Sequence, residues 1–160
     1  MIPSRYDITL EPDLEGATFG GRIVITADVL APTRLIALNA AELEVQSVHV
    51  DGQPATHTLD TDSDRLIIGV IEELAVGPTM IDISFTGILN DKLRGFYRST
   101  YRDEKGDERT IACSQMQATD CRRAFPCFDE PDFKAVFSST LVIDDGLLAI
   151  SNGPEISRTT

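Results

Sequence analysis

Apolar residues recur at every second position along almost the whole chain, and this spacing restricts what it can become. Tyr6, Ile8 and Leu10 alternate with Asp7, Thr9 and Glu11, the pattern of a strand with one buried face. The strand is expected to stop at Pro12. After a turn at Glu15-Gly16, residues Gly21 to Val29 put Ile23, Ile25, Ala27 and Val29 on one side. A third strand is expected over about Arg34 to Leu38. Next come Leu43 and Val45, then Val48 and Val50, so the apolar set jumps from odd to even positions across Gln46-Ser47. A β-bulge or bend is the expected cause, since one extra residue moves every later side chain to the other face.

Turn signals punctuate these runs. Asp51-Gly52 is a hairpin signal because both positions favour residues that tolerate positive φ. Asp60-Thr61-Asp62-Ser63-Asp64 precedes the apolar run Leu66 to Ile71, and Gly77-Pro78 precedes Ile81, Ile83 and Phe85. Val136 to Ile143 is apolar on both faces and is therefore expected at the centre of a sheet. No stretch keeps a helical period, and at most one short helix is expected, near Thr119 to Ala124, capped by Thr119 or Asp120 and ended by Pro126. The expected fold is all-β, a single antiparallel β-sandwich.

Charge narrows the partners. Lys and Arg number 14 against 26 Asp and Glu, a formal charge of −12. Neither nucleic acid nor an anionic membrane surface is an expected partner, because phosphate binding needs a basic face. The apolar runs are too short to span a bilayer, and Met1-Ile2-Pro3-Ser4-Arg5 does not open like a secretion signal. The three cysteines, Cys113, Cys121 and Cys127, form no C-x-x-C pair. With an odd count, one disulfide between two of them is the alternative to the expected free thiols in a reducing, cytoplasmic setting.

Taken alone, the residues offer little catalytic equipment. His49 lies between Val48 and Val50 and should point away from the apolar face, and His57 lies between two threonines. Neither has the companions that a zinc site or a nucleophilic triad requires. The cysteine cluster lacks a fourth ligand and knuckle spacing, so no metal is expected in this chain. Asp60 to Asp64 resembles half a calcium loop without its Gly and bidentate Glu. Asp129-Glu130 precedes a proline and reads as a turn, and Gly16 to Gly21 lacks the lysine of a phosphate cradle. These features describe an acidic β-sandwich, with a free-standing binding module as one reading of its function.

One segment is more specific. Ser114-Gln115-Met116-Gln117-Ala118-Thr119-Asp120-Cys121-Arg122-Arg123-Ala124-Phe125-Pro126-Cys127-Phe128-Asp129-Glu130-Pro131-Asp132-Phe133-Lys134-Ala135-Val136-Phe137 resembles a stretch of the M1 zinc aminopeptidases, the aminopeptidase N family. Gly95-Phe96-Tyr97-Arg98-Ser99, Arg5-Tyr6-Asp7-Ile8-Thr9-Leu10 and Ile150-Ser151-Asn152-Gly153 are similar to other parts of it. The resemblance spans essentially residues 1–160 and implies the saddle-like N-terminal β domain of that family, cut before its last strands. It further implies a parent enzyme that removes N-terminal amino acids from peptides with one Zn2+. The H-E-x-x-H zinc helix and the exopeptidase loop would lie in a downstream catalytic domain, so this chain would have no catalytic residue and no activity alone. Gln115 and Gln117 match the positions that meet the substrate's free amine. Many members carry Glu where Gln117 stands, and a neutral amide should hold an ammonium less tightly. Arg122, Arg123, Phe125, Pro126, Asp129, Glu130 and Pro131 are then expected to serve as scaffold for the two glutamines.

Overall fold

The computed structural model describes residues 1–159, and the expected domain end at Thr160 lies outside them. Eleven strands follow in order: β1 (Ile2–Asp13), β2 (Thr18–Val29), β3 (Thr33–Asn39), β4 (Leu43–Val50), β5 (Gln53–Pro54), β6 (Thr56–Asp60), β7 (Arg65–Leu74), β8 (Gly77–Ile88), β9 (Gly95–Arg102), β10 (Glu108–Gln115) and β11 (Val136–Leu141). The only helical element among the described residues is a 3-10 turn at Cys121–Arg123. Among the described residues no helix is long and apolar enough to cross a membrane.

A six-stranded sheet ordered β11-β1-β2-β8-β4-β5 faces a three-stranded sheet ordered β3-β7-β6. Alternation explains why they pack. Tyr6, Ile8, Ile23, Ile25, Val48, Ile81, Ile83 and Phe85 turn inward from the first sheet and meet Ile36, Leu38, Leu66 and Ile68 from the second. All twelve are buried, and their removal from water is the main favourable term in the fold. All pairings between these strands are antiparallel except that of β1 with β11.

The phase jump in β4 is a bulge. Val45 faces Phe85 and Ser47 faces Ser84, leaving Gln46 as the extra residue, so that Leu43 and Val48 are both buried despite their opposite parity. The hairpin is also where the sequence puts it. His49 faces Pro54, Val50 faces Gln53, and Asp51 and Gly52 take φ of 50° and 78° between them. Both signs suit a tight primed turn whose twist matches the strands. Asp51 adds an anchor, accepting hydrogen bonds from the Met80 N–H at 2.8 Å and the Thr79 hydroxyl at 3.0 Å. Replacing Gly52 by alanine forces a Cβ into left-handed backbone and should cost about 1–2 kcal/mol, read from the thermal midpoint.

Two expectations fail. β1 runs through Pro12 to Asp13, with Pro12 opposite Phe19. β11 reaches only Leu10, so Pro12 has a neighbour on one side and its missing N–H breaks no ladder on the other. β11 itself is an edge strand and not a central one. Its apolar residues on both faces stay largely open, Val136 at 59% and Phe137 at 56% exposure, although the Phe137 ring stacks on Tyr6 at 4.9 Å between centroids.

Candidate functional site

The ribbon of β9 and β10 carries the first of the two glutamines. Its register is regular, from Glu108 opposite Arg102 to Gln115 opposite Gly95. Phe96 roots the ribbon in the core, meeting Phe19 edge-on at 5.1 Å. β10 ends at Gln115, the half-buried Met116 packs against the core, and Gln117 to Asp120 form a turn closed by the Asp120 N–H donating to the Met116 carbonyl at 3.0 Å. Gln115 and Gln117 therefore emerge on either side of an anchored methionine.

Both glutamines are exposed. The Gln115 amide N–H donates to the Gln117 backbone carbonyl at 3.5 Å, a long contact that draws the two residues together. No hydrogen bond engages either side-chain carbonyl oxygen among the described residues. The pair thus offers two neutral acceptors to solvent, suited to a ligand with several donors, such as an ammonium. Two shallow surface depressions lie elsewhere, one around Val29, Leu30 and Phe128, the other around Arg22, His49 and Asp82. The glutamines occupy an open surface.

What holds this arm is a set of ion pairs. Arg123, whose side chain is 17% exposed, donates from Nε to Asp120 at 2.9 Å and forms an ion pair through Nη1 with Glu42 at 2.6 Å. Arg122, 18% exposed, donates from Nε to Asp129 at 2.9 Å. With the Asn39 amide oriented to suit it, Arg122 also donates from Nη1 and Nη2 to the Asn39 carbonyl oxygen at 3.2 Å each. Ala124 and Phe125 are buried behind the 3-10 turn. Asp120 stands at the cap of that turn but makes no cap bond, its carboxylate being taken by Arg123. Gly95, at φ 68°, lets β9 begin hard against the turn, where a Cβ would come within 2.7 Å of the Arg123 Cβ.

Tyr6 closes the arrangement from below. Its buried hydroxyl accepts a hydrogen bond from the Phe128 N–H at 3.2 Å, and burial pushes its ionisation well above the usual tyrosine range. Glu130 sits outside this framework, its one ion pair a 3.9 Å approach to Arg65 with both side chains more than 40% exposed. Sequence reasoning missed Glu42. A glutamate between two strands reads as a solvated charge, and only the fold brings it to Arg123.

The framework coincides with a known domain. The description "Peptidase M1 N-terminal domain" fits residues 2–160 of the chain. The chain belongs to this family. Among curated relatives of this M1 domain, Aminopeptidase M1-B of Oryza sativa subsp. japonica is 43% identical over 160 residues, covering 98% of this chain and 18% of the relative. Aminopeptidase M1 of Arabidopsis thaliana is 39% identical over 162 residues, 96% of this chain and 18% of the relative. The Puromycin-sensitive aminopeptidase of Caenorhabditis elegans is 39% identical over 163 residues, 98% of this chain and 17% of the relative. The chain thus spans under a fifth of the length of the relatives it matches.

The two histidines of this M1 domain do not come together. His49 is on β4 and His57 on β6, in different sheets, and no three-donor group includes either among the described residues. The cysteines separate. Cys113 stays on β10, whereas Cys121 and Cys127 come together with Asp129, their donor atoms all within 4.8 Å of one another. Contact with Cys121, followed by burial, pushes the Cys127 thiol far up.

Proposed function

We propose that this chain is the substrate-binding and structural N-terminal domain of a zinc-dependent aminopeptidase, with Gln115 and Gln117 receiving the free amine of a peptide substrate. The observation that carries the reading is the exposed, unengaged pair of amide oxygens on an arm fixed by Arg122 and Arg123. Fixing matters because acceptors held in place need not be ordered when the ligand arrives. An ammonium offers three donors and an acylated nitrogen one, so such acceptors favour peptides with a free N-terminus.

The remaining machinery belongs to a downstream catalytic domain of the same polypeptide, which binds the Zn2+ through residues this chain does not contain. The chain alone is inactive on this reading, and the enzyme acts in the cytoplasm without membrane or nucleic acid. Two features support a covering domain. The relatives, named as aminopeptidases, are more than five times longer than the matched segment. Large apolar side chains also lie open in one stretch, including Val142, Leu147, Leu148, Ile150 and Ile156. Exposed apolar groups so concentrated mark a surface meant for contact.

The test uses the full-length enzyme. Gln117→Glu gives the ammonium a charged acceptor and should lower KM for free-amine peptides about tenfold, from a gain of about 1–2 kcal/mol. Gln117→Ala should raise KM, and N-acetylated peptides should stay uncleaved by every variant. Unchanged kinetics in Gln117→Ala would show that this side chain never meets the amine.

A further inference from the structure

Cys121, Cys127 and Asp129 are brought together by a short stretch of chain whose backbone is fixed at both cysteines, the Asp129 side chain being held by Arg122. The Cys121 carbonyl accepts from the N–H groups of Ala124 at 2.9 Å and Phe125 at 3.2 Å. Cys127 exchanges both backbone hydrogen bonds with Asn39, at 2.7 and 3.0 Å. The Asp129 side chain, 11% exposed, gives Oδ2 to Arg122 Nε at 2.9 Å, and no donor reaches Oδ1 among the described residues. A carboxylate with one oxygen held by a cation and the other free is how metal-bound carboxylates are commonly oriented.

We propose that Cys121, Cys127 and Asp129 form a binding site for a thiophilic divalent cation such as Zn2+ or Cd2+. Three donor atoms within 4.8 Å of one another are near enough to close around one ion by small side-chain rotations. Two sulfur donors select a soft or borderline metal over Mg2+ and Ca2+. Charge nearly balances: two thiolates, the Asp129 carboxylate and the half-buried Asp64 carboxylate 3.9 Å from Arg122 carry four negative charges, against one on the Arg122 guanidinium and two on the divalent ion. The thiol protons leave to solvent as the metal–sulfur bonds form, and no electrons move. Cys127 is buried whereas Cys121 and Asp129 are half-buried, so solvent reaches the group from their side and can supply the fourth ligand. Sequence spacing hid the site because Cys113 appeared to be the third member, whereas the fold substitutes Asp129.

The test is a Cd2+ titration of the reduced 160-residue chain, which contains no H-E-x-x-H sequence to compete for the ion. The sulfur-to-cadmium charge-transfer band in the ultraviolet should rise and saturate at one equivalent, and Zn2+ should displace it. Because the site exists only in the folded chain, saturation should also raise the melting temperature. Cys113→Ser should leave both readouts unchanged. Cys121→Ser, at a half-buried turn position, should weaken binding at least about tenfold. A band that does not saturate at one equivalent, that keeps the parent affinity in Cys121→Ser or disappears in Cys113→Ser, or that brings no rise in melting temperature overturns the proposal. So does a Cys121–Cys127 disulfide that persists under the reducing conditions of the titration.

Discussion

Arg122→Ala is expected to lower the free energy of unfolding by about 3–5 kcal/mol in a urea titration, the usual cost of leaving a buried partner charge uncompensated. Asp129 would be that charge, with 11% of its side chain exposed and Arg122 Nε as its donor at 2.9 Å. The Asn39 side chain would lose the same guanidinium. The cost is that of stranding Asp129 and not the worth of the pair, so removing both should behave differently. Arg122→Met combined with Asp129→Leu should recover most of the lost stability, because it removes the desolvated charge together with its partner. Arg5 provides the contrast. Its 2.6 Å pair with Asp7 is open to water on both sides, and Arg5→Gln should leave the urea midpoint where it was. A midpoint for Arg122→Ala equal to that of the parent chain would mean that water replaces the guanidinium at Asp129.

Phe85→Ala is expected to cost a comparable amount, about 3–5 kcal/mol, through lost burial and the void left behind. The ring is 1% exposed and meets Phe19 edge-on at 6.4 Å. Its fit depends on Gly21, since a Cβ there would lie 2.4 Å from the Phe85 ring atoms. Gly21→Ala should therefore destabilise by about 1–3 kcal/mol through overpacking. In the Phe85→Ala background the clash is gone and the added methyl enters the void, so the two effects should not add. A double-mutant cycle reads this directly, and additive costs would show that the ring moves aside freely.

Strands that bury one face wrote that fact into the sequence. The alternation of Ile23, Ile25, Ala27 and Val29, the slip at Gln46 and the Asp51-Gly52 turn are local patterns with one physical meaning each, and the structure contains all three. β11 was misread because apolar residues on both faces of a strand do not say what covers them. In this chain much of that surface is open. The arm that carries Gln115 and Gln117 was visible through its unusual motif, but its supports were only half visible. Arg122 and Arg123 are in the motif. Their acceptors Asn39 and Glu42 sit some eighty residues earlier, where no spacing rule connects them. The Cys121–Cys127–Asp129 grouping was hidden for a related reason, since the bend of the backbone after the 3-10 turn decides which side chains converge.

The pairing of β11 with β1 sets Arg5 beside Val136 and Leu10 beside Leu141. During synthesis, the first strand must leave the ribosome long before its outer neighbour has been translated. β2 can zip onto one flank of β1 within moments, but the opposite flank stays bare until the chain has grown by more than a hundred residues. A naked flank of that kind invites other nascent chains to dock. The interval between emergence of β1 and arrival of β11 is therefore the time for which this flank offers unpaired N–H and C=O groups to its surroundings.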